Sequence, residues 1–379
     1  MIYADLSALI TESFSEVSDP RASNARHFLD EIFFLSFCAV IRGAESREDI
    51  ELYGKSKYTW LKNILRLPHG IPSNDTYRRV FSAINPDESE RCFQKRVNNL
   101  INHVGLDIIA VDGKSLRHSF DSASSQSAIH MVSAWSSAHQ LVLGRVKTES
   151  RSNEITAIPA PLNLIDISGH IVTADAMGTQ KKIARQILDQ GGDYVLSLKK
   201  NHKIMYQEAE SYFQENSEYI RGNAHRFYET VDSGHGRIET GSRFISSDIE
   251  QIKERSLWSG LTSVGMVKSV RETAKGISTA TKYYLCGISP DPVLFAAAVR
   301  NHRGIENSPH WVLDVSFRED DSGICKCHAP QNFSLIRKKA LNILKLNKNK
   351  GSIKGKRKKA GRDNQFLLSL LRMEKFQMR

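Results

Sequence analysis

Between residues 106 and 199 short runs of β-branched and aliphatic residues alternate with amphipathic stretches, and their order leaves few topologies open. LDIIAVDG (106–113), AIHMVSAW (128–135) and QLVLGRVK (140–147) read as strands, the last two joined by the short turn Ser-Ser-Ala-His. A helix is expected near 153–165. HIVTADA (170–176) is a fourth strand, a helix spans 179–190, and DYVLSLK (193–199) is a fifth strand. Hairpin-linked strands followed by crossover helices give a mixed sheet with helices on its faces, an α/β class of fold.

The flanks read differently. Residues 1–103 are helical in pattern: FLDEIFFLSFCAVIR (28–42) is apolar around most of its circumference, as a helix buried on several sides would be. A second helix is expected over 46–66. The loop LPHGIPSNDT follows, and then a short helix, TYRRVFSAI, capped by Ser73 or Asn74 and ended by Asn85-Pro86. Its Arg78 and Arg79 suit either DNA docking or the surface of a small bundle. Residues 104–220 hold the strand–helix alternation, 221–290 are a β-rich insertion, and 291–345 return to helix, interrupted by Pro309. Residues 346–379 read as a basic tail. From 331 onward 15 Lys or Arg face only Asp363 and Glu374, leaving residues 1–330 with 38 basic and 40 acidic side chains. The block KLNKNKGSIKGKRKKAGR (345–362), with Lys356 and Arg357, is thus expected to attract a polyanion such as nucleic acid.

No apolar run approaches the length of a membrane span, and MIYADLSALITESF lacks a basic leader, so a cytoplasmic, nucleoid-associated protein is expected. Five scattered cysteines fit a reducing compartment. Cys325, Cys327 and His328 lack a second ligand pair at the usual zinc spacing. No phosphate-binding G-x-x-x-x-G-K-[ST] and no G-x-S-x-G occur, so no nucleotide cofactor and no serine hydrolase is indicated.

The chemistry concentrates in carboxylates. Asp112 ends IIAVD and Asp175 ends IVTAD. On neighbouring strands these like charges would meet and call for a cation, and oxygen-only ligands suit magnesium. Strand-end aspartates are also common turn residues, so the pair carries more weight than either alone. A third acid comes from IENSPHWVLDVSFRED (305–320). On a helix Glu306 shares a face with His310, and Glu306 is the first choice because a helix start can lie against the sheet edge, while spacing leaves Asp314 and Glu319 open.

These motifs resemble a known family. AVDGKSLRHSFD, AIHMVSAWSSAHQLVLGRVKT, DISGHIVTADAMGTQKKIA, GGDYVLSLKKNH, GHGRIET and RGIENSPHWVLDVSFRED are similar to the ISAs1-type insertion-sequence transposases, H-repeat-associated proteins among them. FSEVSDPRASNARHFLDEIFF and LPHGIPSNDTYRRVF resemble that family's N-terminal region, so the likeness runs from about residue 14 to about residue 362. It implies a DDE transposase with a ribonuclease-H-like core, Asp112, Asp175 and Glu306 as catalytic acids, and two Mg2+ or Mn2+ ions held among them. It also implies double-stranded DNA partners (element ends and target) and Lys114, Lys199, Arg237 and His310 facing DNA; from the reaction itself, which joins two ends, two chains acting together are expected. Arg303 and Pro309 depart from the family's pattern around the glutamate. A DNA-binding descendant without cleavage activity is the alternative.

Overall fold

The computed structural model describes residues 16–101, 105–115, 130–148, 158–234, 236–305 and 311–376. In chain order the helices and strands are α1 (Leu29–Arg42), α2 (Arg47–Ser56), α3 (Tyr58–Leu61), α4 (Asn74–Ala83), α5 (Pro86–Ile101), β1 (Ile108–Ser115), β2 (His130–Ser136), β3 (Leu141–Thr148), α6 (Pro159–Leu164), β4 (Ile171–Ala174), α7 (Lys181–Asp189), β5 (Asp193–Leu198), α8 (Lys203–Arg221), β6 (Phe227–Gly234), β7 (Arg237–Ser246), β8 (Ser263–Thr273), β9 (Gly276–Cys286), α9 (Pro292–Ile305), α10 (Trp311–Phe317), α11 (Ala329–Leu346), α12 (Ile353–Arg362) and α13 (Asn364–Phe376).

One sheet of nine strands, in the order β3-β2-β1-β4-β5-β9-β8-β7-β6, organises the molecule. β1, β4 and β5 are parallel, and β2 runs antiparallel to both β1 and β3. The stretch expected as a β-rich insertion extends this same sheet, because β9 pairs antiparallel with β5 from Val195↔Cys286 to Leu198↔Tyr283. β5 ends there, but β9 begins at Gly276. The strands β6 to β9 therefore overrun the carboxyl edge of the core strands by about seven residues, roughly 23 Å of extended chain.

Each face of the core strands is covered. α6, α7 and α8 bury Leu162, Ile183, Ile187, Met205 and Ala209 against Val111, Val172 and Leu196 on one side. On the other, α9 lays Phe295, Ala298 and Val299 over Ile108, Ile171 and Val195. The rest of that side, over β1 to β3, carries a helical bundle built from both ends of the chain.

The bundle revises two expectations. Residues 46–66 do not form one helix. Ser46 starts α2 with a reciprocal capping box to Asp49, and the helical path ends soon after Leu61. The buried Glu31 carboxylate then accepts from the amides of Arg66 and Leu67 at 2.8 and 3.1 Å, tying this segment to α1. The residues that read as a basic tail form α12 and α13, whose Ala360, Leu367 and Leu370 share the core of α1. Their apolar residues recur at helical spacing between the lysines, and that face is what packs. Of the two candidate caps for α4, Ser73 serves, accepting from the Thr76 amide.

Candidate active site

The register of β1 against β4 sets the geometry. Val111 lies opposite Ala174, so one step further brings Asp112 level with Asp175, where the pairing of β1 with β4 ends. β1 does not stop at Asp112 as the Asp-Gly pattern suggests: it runs on to Ser115, paired with β2, while Asp175 is the first residue past β4. Neighbouring strands lie about 4.8 Å apart, and side chains at one level of a parallel pair share a face. Ile108 and Ala110 precede Asp112 on that face, and Ile171 and Thr173 precede Asp175. It is the face covered by α9. Both aspartates are partly buried.

Local structure fixes Asp175. Its Oδ1 accepts from the amides of Met177 and Gly178 at 3.0 and 3.3 Å, holding the turn that leaves β4. Thr179 Oγ1 donates to the Asp175 carbonyl and, at 2.6 Å, to that of Ser197, which locks this turn to β5. Gly178 lies so close to Ala174 that a Cβ would stand 2.6 Å from the alanine methyl.

α9 approaches the same edge. The ring of His302 is 3.0 Å from Thr173 Oγ1, two residues before Asp175 on the same face. The described part of the helix runs about one turn further, to Ile305. Glu306 and His310 lie outside the described residues, as does the Pro309 that was expected to interrupt the helix. Among the described residues no three His, Cys, Asp or Glu side chains come together as a metal cluster. Asp112 and Asp175 do supply a pair of oxygen donors at one sheet edge, the donor set that hard divalent cations prefer.

The alternative acid Glu319 is accounted for otherwise, and this corrects the open choice left by spacing. Its carboxylate is fully buried, accepts from Arg145 Nη1 at 2.9 and 3.0 Å, and takes a hydrogen bond from Ser334 at 2.9 Å. Arg145 reaches this face through a bulge. The β2–β3 register shifts between Ala134 and Trp135, so Arg145 stands opposite Ser133, which itself stands opposite Asp112. Sequence gave no sign of this row, since a one-residue shift in register has no compositional signal. Asp314, the other alternative, is partly buried on α10.

The expected DNA-facing residues divide. Lys199 is exposed just beyond the carboxyl end of β5, at the same edge as Asp175. The backbone of Lys114 pairs with Met131 two residues past Asp112. Arg237 lies at the far tip of the β6–β7 hairpin, 3.0 Å from Glu239. Arg78 and Arg79 both reach back to Asp75, which the pair holds below the usual carboxylate range. Lys356 and Arg357 do not stand on the surface at all. Lys356 Nζ donates to the Leu344 and Asn347 carbonyls, and Arg357 donates to Val40 O at 2.8 Å while its guanidinium lies over Phe317. Burial lowers the Arg357 pKa to about 10. Both are packing residues of the bundle, where their charged ends cap helix carbonyls.

A mixed α/β fold with two carboxylates at one level of adjacent strands, beside a covering helix, defines a class of site, and comparison with known proteins defines the family. Residues 104–343 match the transposase DDE domain, and residues 11–97 match the DDE_Tnp_1-associated region. The chain belongs to the DDE-domain transposase family. It is 38% identical over 369 residues to the "H repeat-associated putative transposase YhhI" of Escherichia coli K12, covering 96% of this chain and 97% of that one. It is 39% identical over 355 residues to the "Putative transposase YncI" of Escherichia coli O157:H7, covering 91% and 90%. Among solved structures, a piggyBac transposase synaptic complex with hairpin DNA aligns at a TM-score of 0.40 and 11% identity, over 97% of this chain and 80% of that one, too weak a likeness to assign the fold. No helix among the described residues is long and apolar enough to cross a membrane.

Proposed function

We propose that this chain hydrolyses a phosphodiester bond at each end of an insertion sequence and joins the freed 3′-hydroxyl to target DNA. The observation that carries the reading is the level placement of Asp112 and Asp175 on adjacent parallel strands, inside the region that matches the transposase DDE domain. The strand order β3-β2-β1-β4-β5, antiparallel only at β2, supports a ribonuclease-H-like core.

In this reading Asp112 and Asp175 hold two Mg2+ or Mn2+ ions and Glu306, the residue that follows Ile305, completes the set. Such ions, when bound, supply an acidified water or hydroxyl and neutralise charge on the transferring phosphate. The protein's own part is positioning. The Met177 and Gly178 amides fix one Asp175 oxygen, and the His302–Thr173 contact anchors the end of α9 against β4. Lys114, Lys199, Arg237, His310, Arg78 and Arg79 are proposed phosphate contacts, and two chains act together because two ends must be joined.

The test is cleavage and joining of duplex DNA carrying the element's ends, with Mg2+, comparing the native chain with Asp112→Asn and Asp175→Asn. We expect each substitution to slow cleavage by about 100-fold or more, because the lost charge stabilisation amounts to several kcal/mol. Asn at 175 retains Oδ1 for the turn, so folding should be unchanged. A second reading, DNA binding without cleavage, draws on Arg303 and Pro309 beside Glu306. It prevails if the native chain and both variants shift this DNA on a gel and none cuts it.

A further inference from the structure

The part of the sheet that overruns the core strands forms a groove against α9, with a volume of 540 Å³. We propose that this groove binds the sugar–phosphate backbone of the DNA strand leaving the carboxylate edge. The inference rests on the transposase reading and assigns that reading a surface.

Position is the first argument. The groove lies on the face that carries Asp112 and Asp175. Val267, part of the α9-covered core, stands opposite both Arg243 and Lys282, so these two point to that face, and Arg271 two levels beyond stands opposite Glu239. β9 pairs with the end of β5 at Tyr283, so everything from Lys282 outward lies past the core's carboxyl edge. The opposite wall is the last turns of α9, Val299 to Arg303, whose His302 touches β4 beside Asp175. A strand at the carboxylates therefore enters this groove directly.

Charge is the second argument. Arg243, Arg271, Arg300 and Arg303 line the groove against two acids, Asp232 and Glu239. Arg300 reaches Asp232 at 3.4 Å and Arg271 reaches Glu239 at 3.2 Å, and Arg237 shares that same Glu239. Arg243 has no carboxylate among its hydrogen-bond partners in the described residues. Nη1 is taken by Thr230 Oγ1 and Gly241 O, and the buried Nε has no partner among the described residues. Burial first, then the nearby positive charges of Arg300 and Arg303, push its pKa down. Like charges crowded this way are relieved by an anion, and guanidinium forks suit phosphate oxygens.

Shape is the third. The floor between these cations is Gly241, Ser269 and Ala280, small residues at one level of three paired strands. A Cβ on Gly241 would stand 2.5 Å from the Arg243 guanidinium, so glycine here makes room for the charge.

The experiment measures binding of a duplex carrying the element's ends across a salt series. The full-length native chain is compared with the triple variant Arg271→Gln, Arg300→Gln, Arg303→Gln, three exposed positions that leave Arg243 packed. A control of equal charge change, Arg221→Gln, Lys253→Gln, Lys268→Gln, alters cations away from the groove. Each lost phosphate contact removes about 0.9 from the slope of log K against log salt. The groove variant should lower the slope by about 2 to 3 while the control leaves it within about 0.5 of native. Equal slopes for the two variants, with native binding intact, overturn the groove and leave the transposase reading standing. Absence of DNA binding by the native chain overturns both.

Discussion

At the scale of single residues, burial decides which charges serve structure and which remain for chemistry. Asp112 and Asp175 keep contact with solvent at a sheet edge, whereas Glu319 is enclosed with Arg145. Removing one member of a buried pair strands the other, at about 3 to 5 kcal/mol. Glu319→Ala should therefore lower the melting temperature markedly in differential scanning calorimetry while the cleavage rate per folded molecule holds. Glu306→Gln should do the reverse, and equal loss of cleavage in both would undo the assignment of the third acid. Lys345 makes a different prediction. Burial lowers its pKa to about 8, while its ammonium lies 4.1 Å from the centre of the Trp135 ring. The unfolded chain then holds more protons between pH 8 and 10.5, so this lysine's cost is fully present below pH 8 and is relieved as pH rises through that window. Relative to Lys345→Met, the native chain should gain on the order of 1 kcal/mol from pH 8 to 10.5 in urea titrations, after discounting for solvent screening.

At the scale of elements, the carboxyl-terminal helices matter most. A run of lysines and arginines reads as a basic tail for a polyanion, but α12 and α13 supply Ala360, Phe366, Leu367, Leu368, Leu370 and Leu371 to the core that holds α1. Arg42 in turn donates to Gly361 O at 2.6 Å and to the Asn364 side chain. Ending the chain at residue 351 should not simply weaken DNA binding. It exposes one side of α1, so we expect loss of the cooperative thermal transition or insolubility on expression. A shortened chain that melts like the native one would restore the arm to a purely electrostatic role. The level pair of aspartates was legible because an apolar run closed by Asp is a local pattern, although β1 runs on past Asp112 to Ser115. The bulge that turns Arg145 inward was not, since it exists only as a mismatch between two strands.

At the scale of the whole molecule, the carboxylates sit where α9, the helical bundle and the overrunning strands converge, so metal binding and global stability should be linked. Chain stripped with EDTA and titrated with Mn2+ should melt a few degrees higher. A ligand at about 100 times its Kd stabilises the folded state by about 2.7 kcal/mol. Asp112→Asn should abolish most of that rise, and an undiminished rise would place the cation elsewhere.

By itself the sequence determined the order of strands and crossover helices, the two aspartates that close the apolar runs IIAVD and IVTAD, and the family. Each is written in contiguous residues whose periodicity or spacing carries the signal. Tertiary structure alone decided that the insertion strands continue the core sheet, that both ends of the chain share one bundle, that Lys356 and Arg357 are interior, and that Arg243, Arg300 and Arg303 gather on one wall. Those features depend on which distant segments pair and in what register. A charge pattern reads the same in a solvated arm and in a packed helix until its neighbours are known.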